Sequence, residues 1–157
     1  MTDTDAYYMQ RALDQARAGL DAGQTPFGAC IVRQNRVLAE AHNQVRACTD
    51  ITAHAEMQAI RRACATVGDI HLTGATIYST IEPCPMCFSA IHWARIGRIV
   101  FGGRIEDVAR FGFNELPLSN DRLKALNDLP VALKAECRRD EAIALFDQWA
   151  KSGGEAY

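Results

Sequence analysis

Two short segments of this 157-residue sequence carry side chains that together could activate a water molecule. His54 stands two residues before Glu56, and Cys84 and Cys87 stand three residues apart in a Pro-Cys-Pro-Met-Cys segment. An imidazole and two thiolates are common zinc ligands, and a tetrahedral zinc with three protein ligands keeps its fourth position for water. Bound in this way, water has a pKa of about 7 and can become a nucleophile. Glu56 then remains as a proton carrier.

The same residues allow two other interpretations. A Cys-x-x-Cys pair in an intracellular protein can be a redox pair, but a redox pair leaves His54 and Glu56 without a role. A closed structural zinc site needs a fourth Cys or His at a ligand-like spacing, and neither Cys64 nor Cys137 has one. We therefore predict an open site with one zinc ion held by one imidazole and two thiolates.

Helix starts are predicted at both segments and would bring the zinc ligands together. Pro85 follows Cys84 directly, and Pro is favoured in the first turn of a helix, so Cys84 and Cys87 would lie on one face of that turn. The helix dipole favours negative charge there, which suits thiolates. His54 begins the other helix, and Glu56 follows closely enough to reach the bound water without binding the metal itself.

Length and composition predict one domain over residues 1–157. Hydrophobic residues make up 48% of the chain, which is enough for a single core, and no linker or repeat divides it. The net charge of −2 and the pI of about 6.1 offer no evident basic surface for nucleic acid. Residues 1–10 do not resemble a signal peptide and no run approaches about 20 apolar residues, so we expect a cytoplasmic protein with no membrane partner.

The periodicity of apolar residues predicts alternating strands and helices. A helix is expected over about 5–22, and residues 27–32 and 37–44 indicate an antiparallel hairpin. After the hairpin, the predicted helices span 54–67, 84–95, 119–127 and 140–151, and the predicted strands span 76–80, 98–101 and 131–137. This order predicts an α/β fold, a three-layer α/β/α sandwich in which a mixed five-stranded sheet has helices on both faces.

The sequence resembles the cytidine deaminase-like superfamily, and within it is most similar to bacterial guanine deaminases. His-x-Glu followed by Pro-Cys-x-x-Cys is the known signature of zinc deaminases, in which the Glu stays off the metal and acts as general acid and base. The resemblance runs nearly end to end. The segments that carry it are 25–29, Asn43, 52–56, 82–87, 91–95, 112–115 and Tyr157.

The resemblance implies hydrolytic deamination of a free purine base, guanine to xanthine and ammonia. In that mechanism Glu56 takes a proton from the zinc-bound water, the hydroxide attacks C2 of guanine, and Glu56 passes protons to the adjacent ring nitrogen and then to the departing amine. Guanine also presents ring N–H donors, so its site needs a second carboxylate. Asn114 and Glu115 stand where the relatives carry two aspartates, one of which contacts the base. The alternative for Glu115 is an exposed loop carboxylate.

The same resemblance implies further substrate contacts. Asn43 matches an amide that bonds to the substrate ring, although an Asn there can instead end the strand and start a turn. Ala55 lies between the metal ligand and the catalytic Glu in the shared motif, and its position implies a contact with the substrate. Phe27 and Trp93 resemble residues that sandwich the base, with core packing as the alternative for both.

At the C-terminus, Tyr157 follows a Gly153-Gly154 pair in a segment where an ordinary chain frays. In the guanine deaminase branch this segment crosses to the partner subunit, and a terminal tyrosine closes over the active site. The resemblance therefore implies a homodimer with one Zn²⁺ per subunit, in which residues 138–157 are exchanged and Tyr157 is a lid donated in trans.

Three other functions stay open at this point. The zinc site is indifferent to which amidine it receives, so cytosine, guanosine and aminotriazines are alternative substrates. A tRNA adenosine deaminase has a stretch echoed here at 95–102, but the net charge of −2 argues against a nucleic acid partner. A zinc-stabilised binding protein without catalysis would have no need for Glu56 beside the metal.

Overall fold

Five strands form one mixed sheet in residues 3–157, the part of the chain that the structure, a computed structural model, describes. The strands are β1 (Gly28–Arg33), β2 (Arg36–His42), β3 (Thr76–Ile81), β4 (Arg98–Gly103) and β5 (Ala132–Lys134). They lie in the order β2-β1-β3-β4-β5. β1 pairs antiparallel with both β2 and β3, whereas β3, β4 and β5 run parallel to one another. The predicted hairpin and mixed sheet are confirmed.

Helices cover both faces of this sheet. Among the described residues, the helices are α1 (Asp3–Asp21), α2 (Val45–Cys48), α3 (Ala55–Val67), α4 (Pro85–Trp93), α5 (Ile105–Ala109), α6 (Asn120–Leu126) and α7 (Arg139–Lys151). α1 and α7 touch each other on one face, and α3 and α4 lie side by side on the other. This arrangement gives the three layers that the element order predicted.

Several boundaries differ from the prediction for local reasons. β5 has three residues instead of the predicted seven, because Glu136 and Arg138 adopt positive φ values of 62° and 57° and turn the chain out of the strand. Arg138 is consequently the residue that caps α7, and Asp140 lies in the first turn instead of at the cap. α2 and α5 were not predicted as helices.

The contact between α1 and β1 requires a residue without a side chain. A Cβ atom at Gly28 would stand 2.0 Å from the carbonyl oxygen of Ala12 and 2.5 Å from the backbone nitrogen of Ala16. Both neighbours are helix backbone, so neither can move aside without disturbing α1. Gly28 therefore sets how closely the helix layer approaches the sheet.

A buried carboxylate ties α1 to the parallel half of the sheet. The Asp5 side chain is 3% exposed and accepts hydrogen bonds from the Tyr78 hydroxyl at 2.9 Å and from two Arg98 nitrogens at 2.8 and 2.9 Å. Lys134 also forms an ion pair with it. One carboxylate thus joins α1 with β3, β4 and β5 at the edge of the sheet opposite the helix starts described below.

The parallel strands end where the helices of the other face begin. β3 ends at Ile81 and leads within a few residues into the start of α4, while α3 begins beside α4. Residues just before these helix starts are therefore held at one edge of the sheet. Within residues 3–157, no helix combines the length and apolar character needed to cross a membrane.

Candidate active site

Three metal-binding side chains meet at the N-termini of two helices. His54 occupies the N-cap position of α3, Cys84 occupies that of α4, and Cys87 lies in the first turn of α4. Nδ1 of His54 lies 3.7 Å from Sγ of Cys84 and 3.6 Å from Sγ of Cys87. Their ligand atoms all lie within 4.8 Å of one another.

These distances fit ligands of a single zinc ion. Zinc bonds of about 2.3 Å to sulfur and about 2.0 Å to nitrogen, arranged tetrahedrally, separate nitrogen from sulfur by about 3.5 Å. The donor set of one imidazole and two thiols is also one that zinc prefers. Among residues 3–157 no fourth His, Cys, Asp or Glu joins this group. The predicted zinc cofactor is confirmed in the sense that these residues can hold it with one position open.

The electrostatics of the two cysteines favour metal binding. Hydrogen bonding with Cys87 lowers the pKa of Cys84 well below that of an ordinary thiol, and His54 acts in the same direction. The same hydrogen bond, seen from the other thiol, raises the pKa of Cys87, and burial raises it further. The pair thus offers one thiolate readily at neutral pH, and the start of a helix is a favourable place for that negative charge.

Glu56 lies beside these ligands without belonging to them. Its side chain is buried in the first turn of α3. Oε1 accepts a hydrogen bond from the Ser79 hydroxyl at 3.1 Å, and Oε2 lies 3.6 Å from Sγ of Cys87. Burial raises the pKa of Glu56 above its usual value. A carboxyl group held in this way can take up and release a proton next to the metal.

A cavity of about 250 Å³ opens in front of the zinc ligands. Its lining includes His54 and Cys84 together with Asn114, Glu115 and Tyr157. Glu115 is half-buried instead of fully exposed in its loop, and burial raises its pKa to about 7, with the nearby Cys84 thiolate adding to the effect. Asn114 and Glu115 therefore line the same cavity as the zinc ligands, and their contact with a substrate stays a prediction.

Tyr157 lies over the site of its own chain. Its hydroxyl accepts a hydrogen bond of 2.6 Å from Nδ2 of Asn43, and its ring stands 6.0 Å from the His54 ring and 5.6 Å from the Phe113 ring. The Tyr157 carbonyl accepts from the backbone nitrogen of Asn114 at 3.2 Å. The C-terminus is therefore fixed at the cavity, and its exchange with a partner subunit stays a prediction.

Asn43 is almost fully buried at the end of the hairpin. Its Oδ1 accepts a hydrogen bond from the backbone nitrogen of Val45 at 3.1 Å, so the side chain also shapes the turn after β2. Both interpretations of this residue thus have a structural counterpart, since its Nδ2 reaches Tyr157 at the cavity while its Oδ1 holds the turn. Ala55, the first residue of α3, is fully buried between His54 and Glu56.

The two aromatic residues predicted to sandwich a base lie elsewhere. Trp93 is 80% exposed at the C-terminal end of α4, six residues beyond Cys87, which corresponds to about 9 Å along the helix axis. Phe27 packs in an aromatic core cluster, with ring centroids 5.2 Å from Phe113 and 5.0 Å from Phe146. Within one subunit, therefore, the stacking prediction for Trp93 is not met, and Phe27 has the core role that was its alternative.

Ser79 is a site residue that the sequence analysis missed. It lies in the middle of β3, paired with Ala29 on one side and Phe101 on the other, and its hydroxyl orients Glu56. The available signal was a serine in the middle of a strand expected to be buried, because a buried hydroxyl needs a hydrogen-bond partner.

Comparison with known proteins gives a consistent family. The family model described as "Cytidine and deoxycytidylate deaminase zinc-binding region" matches residues 2–103. Guanine deaminase from Bacillus subtilis (strain 168) is 41% identical over 109 residues, which cover 69% of this chain and 70% of that protein. A tRNA-specific adenosine deaminase from Agrobacterium fabrum (strain C58 / ATCC 33970) is also 41% identical, over 111 residues that cover 67% of this chain and 73% of that protein.

A solved structure extends the similarity to the C-terminal part. This structure, of a protein in complex with 2,6-diaminopurine, superimposes with a TM-score of 0.87 at 27% identity and covers 98% of this chain and 85% of that one. The shared fold therefore includes the C-terminal region that lies over the cavity.

Proposed function

Because the chain belongs to the cytidine and deoxycytidylate deaminase family, we propose that this hydrolytic deaminase acts on a free purine base, guanine to xanthine and ammonia. The observation that carries the proposal is the position of Tyr157 at the cavity, where its ring stands 6.0 Å from the His54 ring and its hydroxyl accepts a hydrogen bond from Asn43. A base that enters beneath Tyr157 must fit between the Tyr157 ring, the zinc ligands and Glu115. If the base belonged to a nucleic acid, its attached ribose and phosphate would collide with the C-terminal segment. A free base carries no such groups.

The polar groups of the cavity support a purine with a 2-amino group. Guanine presents N–H donors on the ring edge that also carries its amine. Glu115 offers a carboxyl group at the cavity, with a pKa near 7 that lets it accept such a hydrogen bond once ionised. The similar protein solved with 2,6-diaminopurine and the similar guanine deaminase agree with this substrate class.

In the proposed reaction, this chain's residues bind the base and move the protons. A zinc ion at His54, Cys84 and Cys87 would supply a hydroxide nucleophile near pH 7 by lowering the pKa of its bound water. Glu56 accepts the proton of that water and delivers it to the ring nitrogen beside the attacked carbon. It then carries the remaining hydroxyl proton to the amine, which departs as ammonia while a carbonyl group remains on the ring. Ser79 keeps Oε1 of Glu56 in place during both transfers.

Adenosine in tRNA is the second candidate substrate, because tRNA-specific adenosine deaminases are as similar in identity as the guanine deaminase. An enzyme of that kind must bind phosphates with basic side chains and accept a base extruded from its strand. The net charge of −2 and the C-terminal segment over the cavity both disfavour this substrate.

Ammonia release from a substrate panel tests the proposal. The zinc-loaded protein is offered guanine, cytosine, adenine, their nucleosides, aminotriazines and an anticodon stem-loop RNA, with a metal-stripped sample as control. We expect guanine to have the highest kcat/KM and the RNA to give no ammonia. Faster deamination of the RNA or of a nucleoside would refute the proposal.

Deleting Tyr157 tests the role of this residue in turnover separately from the binding of zinc. Without this residue, guanine turnover is expected to fall while the zinc content stays at one ion per chain, because none of the metal ligands is touched. Unchanged guanine turnover would remove Tyr157 from the proposed site.

A further inference from the structure

Glu82, the residue before the zinc-ligand segment, has a role that the deaminase motif does not explain. Its side chain is 3% exposed at the end of β3. Its two carboxyl oxygens accept hydrogen bonds from two backbone nitrogens that are distant in sequence, with Oε1 2.7 Å from Asn120 N and Oε2 3.2 Å from Ile105 N. The Glu82 backbone nitrogen donates to the Gly103 carbonyl at 2.7 Å.

Ile105 and Asn120 are the first residues of α5 and α6, and they mark the two ends of one connection. This connection, residues 105–120, carries Asn114 and Glu115 to the cavity. The first N–H groups of a helix have no partner within the helix, so a carboxylate can bind them without breaking other bonds. Glu82 thus closes the connection at its base by holding both ends.

Asn120 completes the link to the metal ligands. Its side chain is fully buried, and its Nδ2 donates a hydrogen bond of 2.7 Å to the carbonyl oxygen of Pro83. Pro83 immediately precedes Cys84, so this bond fixes the backbone from which the first thiolate projects. Glu82 and Asn120 therefore bond to the zinc-ligand segment and to the substrate-side connection at the same time.

We propose that Glu82 and Asn120 are positioning residues that set the distance between the zinc ligands and the connection 105–120. The proposal rests on the proposed function in one respect, the role of Asn114 and Glu115 as substrate contacts. A catalytic geometry displaced by about 1 Å can lower the rate by about 10²-fold, so fixing this distance has a direct effect on turnover. Neither residue lines the cavity.

Glu82→Gln tests the first half of the link at nearly constant size. The amide keeps one acceptor oxygen but places an NH₂ group opposite a backbone N–H, so one of the two bonds is lost. In zinc-loaded protein we expect faster backbone hydrogen exchange across 105–120 and a roughly 10- to 100-fold lower kcat/KM on whichever base the native enzyme deaminates best. Glu106→Gln is the matched control, because Glu106 is an exposed acid in the first turn of α5.

Asn120→Ala tests the second half and leaves both backbone bonds of Glu82 available. Loss of the bond to Pro83 is expected to speed the transfer of zinc to a chelator at least several-fold, while exchange across 105–120 stays at the native rate. If Glu82→Gln does not fold, the rate of zinc transfer from Asn120→Ala still tests whether these residues position the zinc ligands.

Two results would overturn the proposal. One is exchange across 105–120 in Glu82→Gln that equals that of Glu106→Gln, and the other is native zinc release in Asn120→Ala. Both measurements are made without substrate, so they judge the link even if guanine is not the base that the enzyme deaminates. A failure of guanine deamination in native protein, with both effects present, would refute only the proposed function.

Discussion

At the residue scale, the site depends on one carboxylate that stays beside the metal ligands without joining them. Glu56 is buried, is oriented by Ser79, and has a raised pKa. A buried carboxyl group next to thiolates resists ionisation, so it can hold a proton long enough to deliver it to a ring nitrogen or an amine. The same group would have little use in a protein that only binds zinc.

Glu56→Gln should abolish most turnover and leave the metal in place. The amide cannot accept or release the proton, and general acid and base catalysis contributes about 10² to 10⁴ in rate. We expect a loss of this size in ammonia release, with one zinc per chain by elemental analysis. A variant that keeps native kcat would show that another group carries the proton.

The residues of the metal site could be predicted because the spacing within each of two short segments matches the zinc deaminase signature, although His54 and Cys84 are 30 residues apart in sequence. Cys84 and Cys87 share a helix turn, and Glu56 follows His54 by two residues. The bond between Ser79 and Glu56 could not be predicted in the same way, because it depends on how α3 packs against β3 across 23 residues of sequence. A hydrogen bond between two elements that are distant in sequence depends on tertiary packing, which the spacing of residues in the sequence does not show.

At the scale of elements, the close approach of α1 to β1 is the feature most sensitive to substitution. Gly28→Ala should lower the free energy of unfolding by about 2 to 3 kcal/mol, because the new methyl group meets helix backbone. Gly97→Ala is the matched control, since no atom lies within 4 Å of its added Cβ, and its effect should stay within about 0.5 kcal/mol. Equal midpoints of the two variants in urea unfolding would show that α1 can shift freely.

An ion pair joins the starts of α5 and α7 and gives a pH dependence. Hydrogen bonding with Arg139 lowers the pKa of Asp107 below its usual value near 3.8, and the Arg104 backbone nitrogen adds a bond of 2.8 Å. Since the folded state favours the ionised form, the stabilisation is present in full above pH 3.8 and is lost as pH falls through the lower, folded pKa.

Asp107→Asn should therefore be less stable than the native protein at pH 7. The two should converge as pH falls below 3.8, where the native carboxyl group becomes protonated too. Urea unfolding at a series of pH values measures the difference. A difference that stays constant down to the most acidic pH at which both proteins still fold would show that the charge of Asp107 is not what stabilises the contact.

The elements themselves were largely predictable, and the exceptions have physical causes. α1 and α3 show several repeats of the apolar period, α4 is marked by the proline at its start and by Gly97 beyond its end, and β1 with β2 shows the hairpin pattern. α2 and α5 are single turns of four and five residues, too short for the period to be read. β5 was predicted too long because alternation continues past the point where the backbone turns at Glu136.

At the scale of the whole molecule, the C-terminal segment raises the question of which subunit each lid serves. In the single chain Tyr157 contacts its own site, and a domain swap would form the same contacts between two subunits. The exchange of residues 138–157 in a homodimer stays a prediction, which the Gly153-Gly154 pair in the same segment suggested.

Mixing two variants of low activity tests whether each tail serves its own subunit or its partner. A Glu56→Gln subunit with an intact tail and a subunit lacking Tyr157 would form, after exchange, one complete site per mixed dimer. Random mixing of equal amounts should then restore about a quarter of the native activity. No recovery, despite mixed dimers being present by mass spectrometry, would mean that each tail closes its own subunit's site.

The central claim is an open zinc site formed by His54, Cys84 and Cys87 beside an unliganded Glu56. X-ray absorption at the zinc edge, measured on the native protein, tests it most directly. The account predicts one zinc with two sulfur ligands at about 2.3 Å, one imidazole nitrogen at about 2.0 Å, and one light-atom ligand that changes when a purine analogue binds. A third sulfur, a second imidazole, or a fourth ligand that no purine analogue disturbs would contradict it.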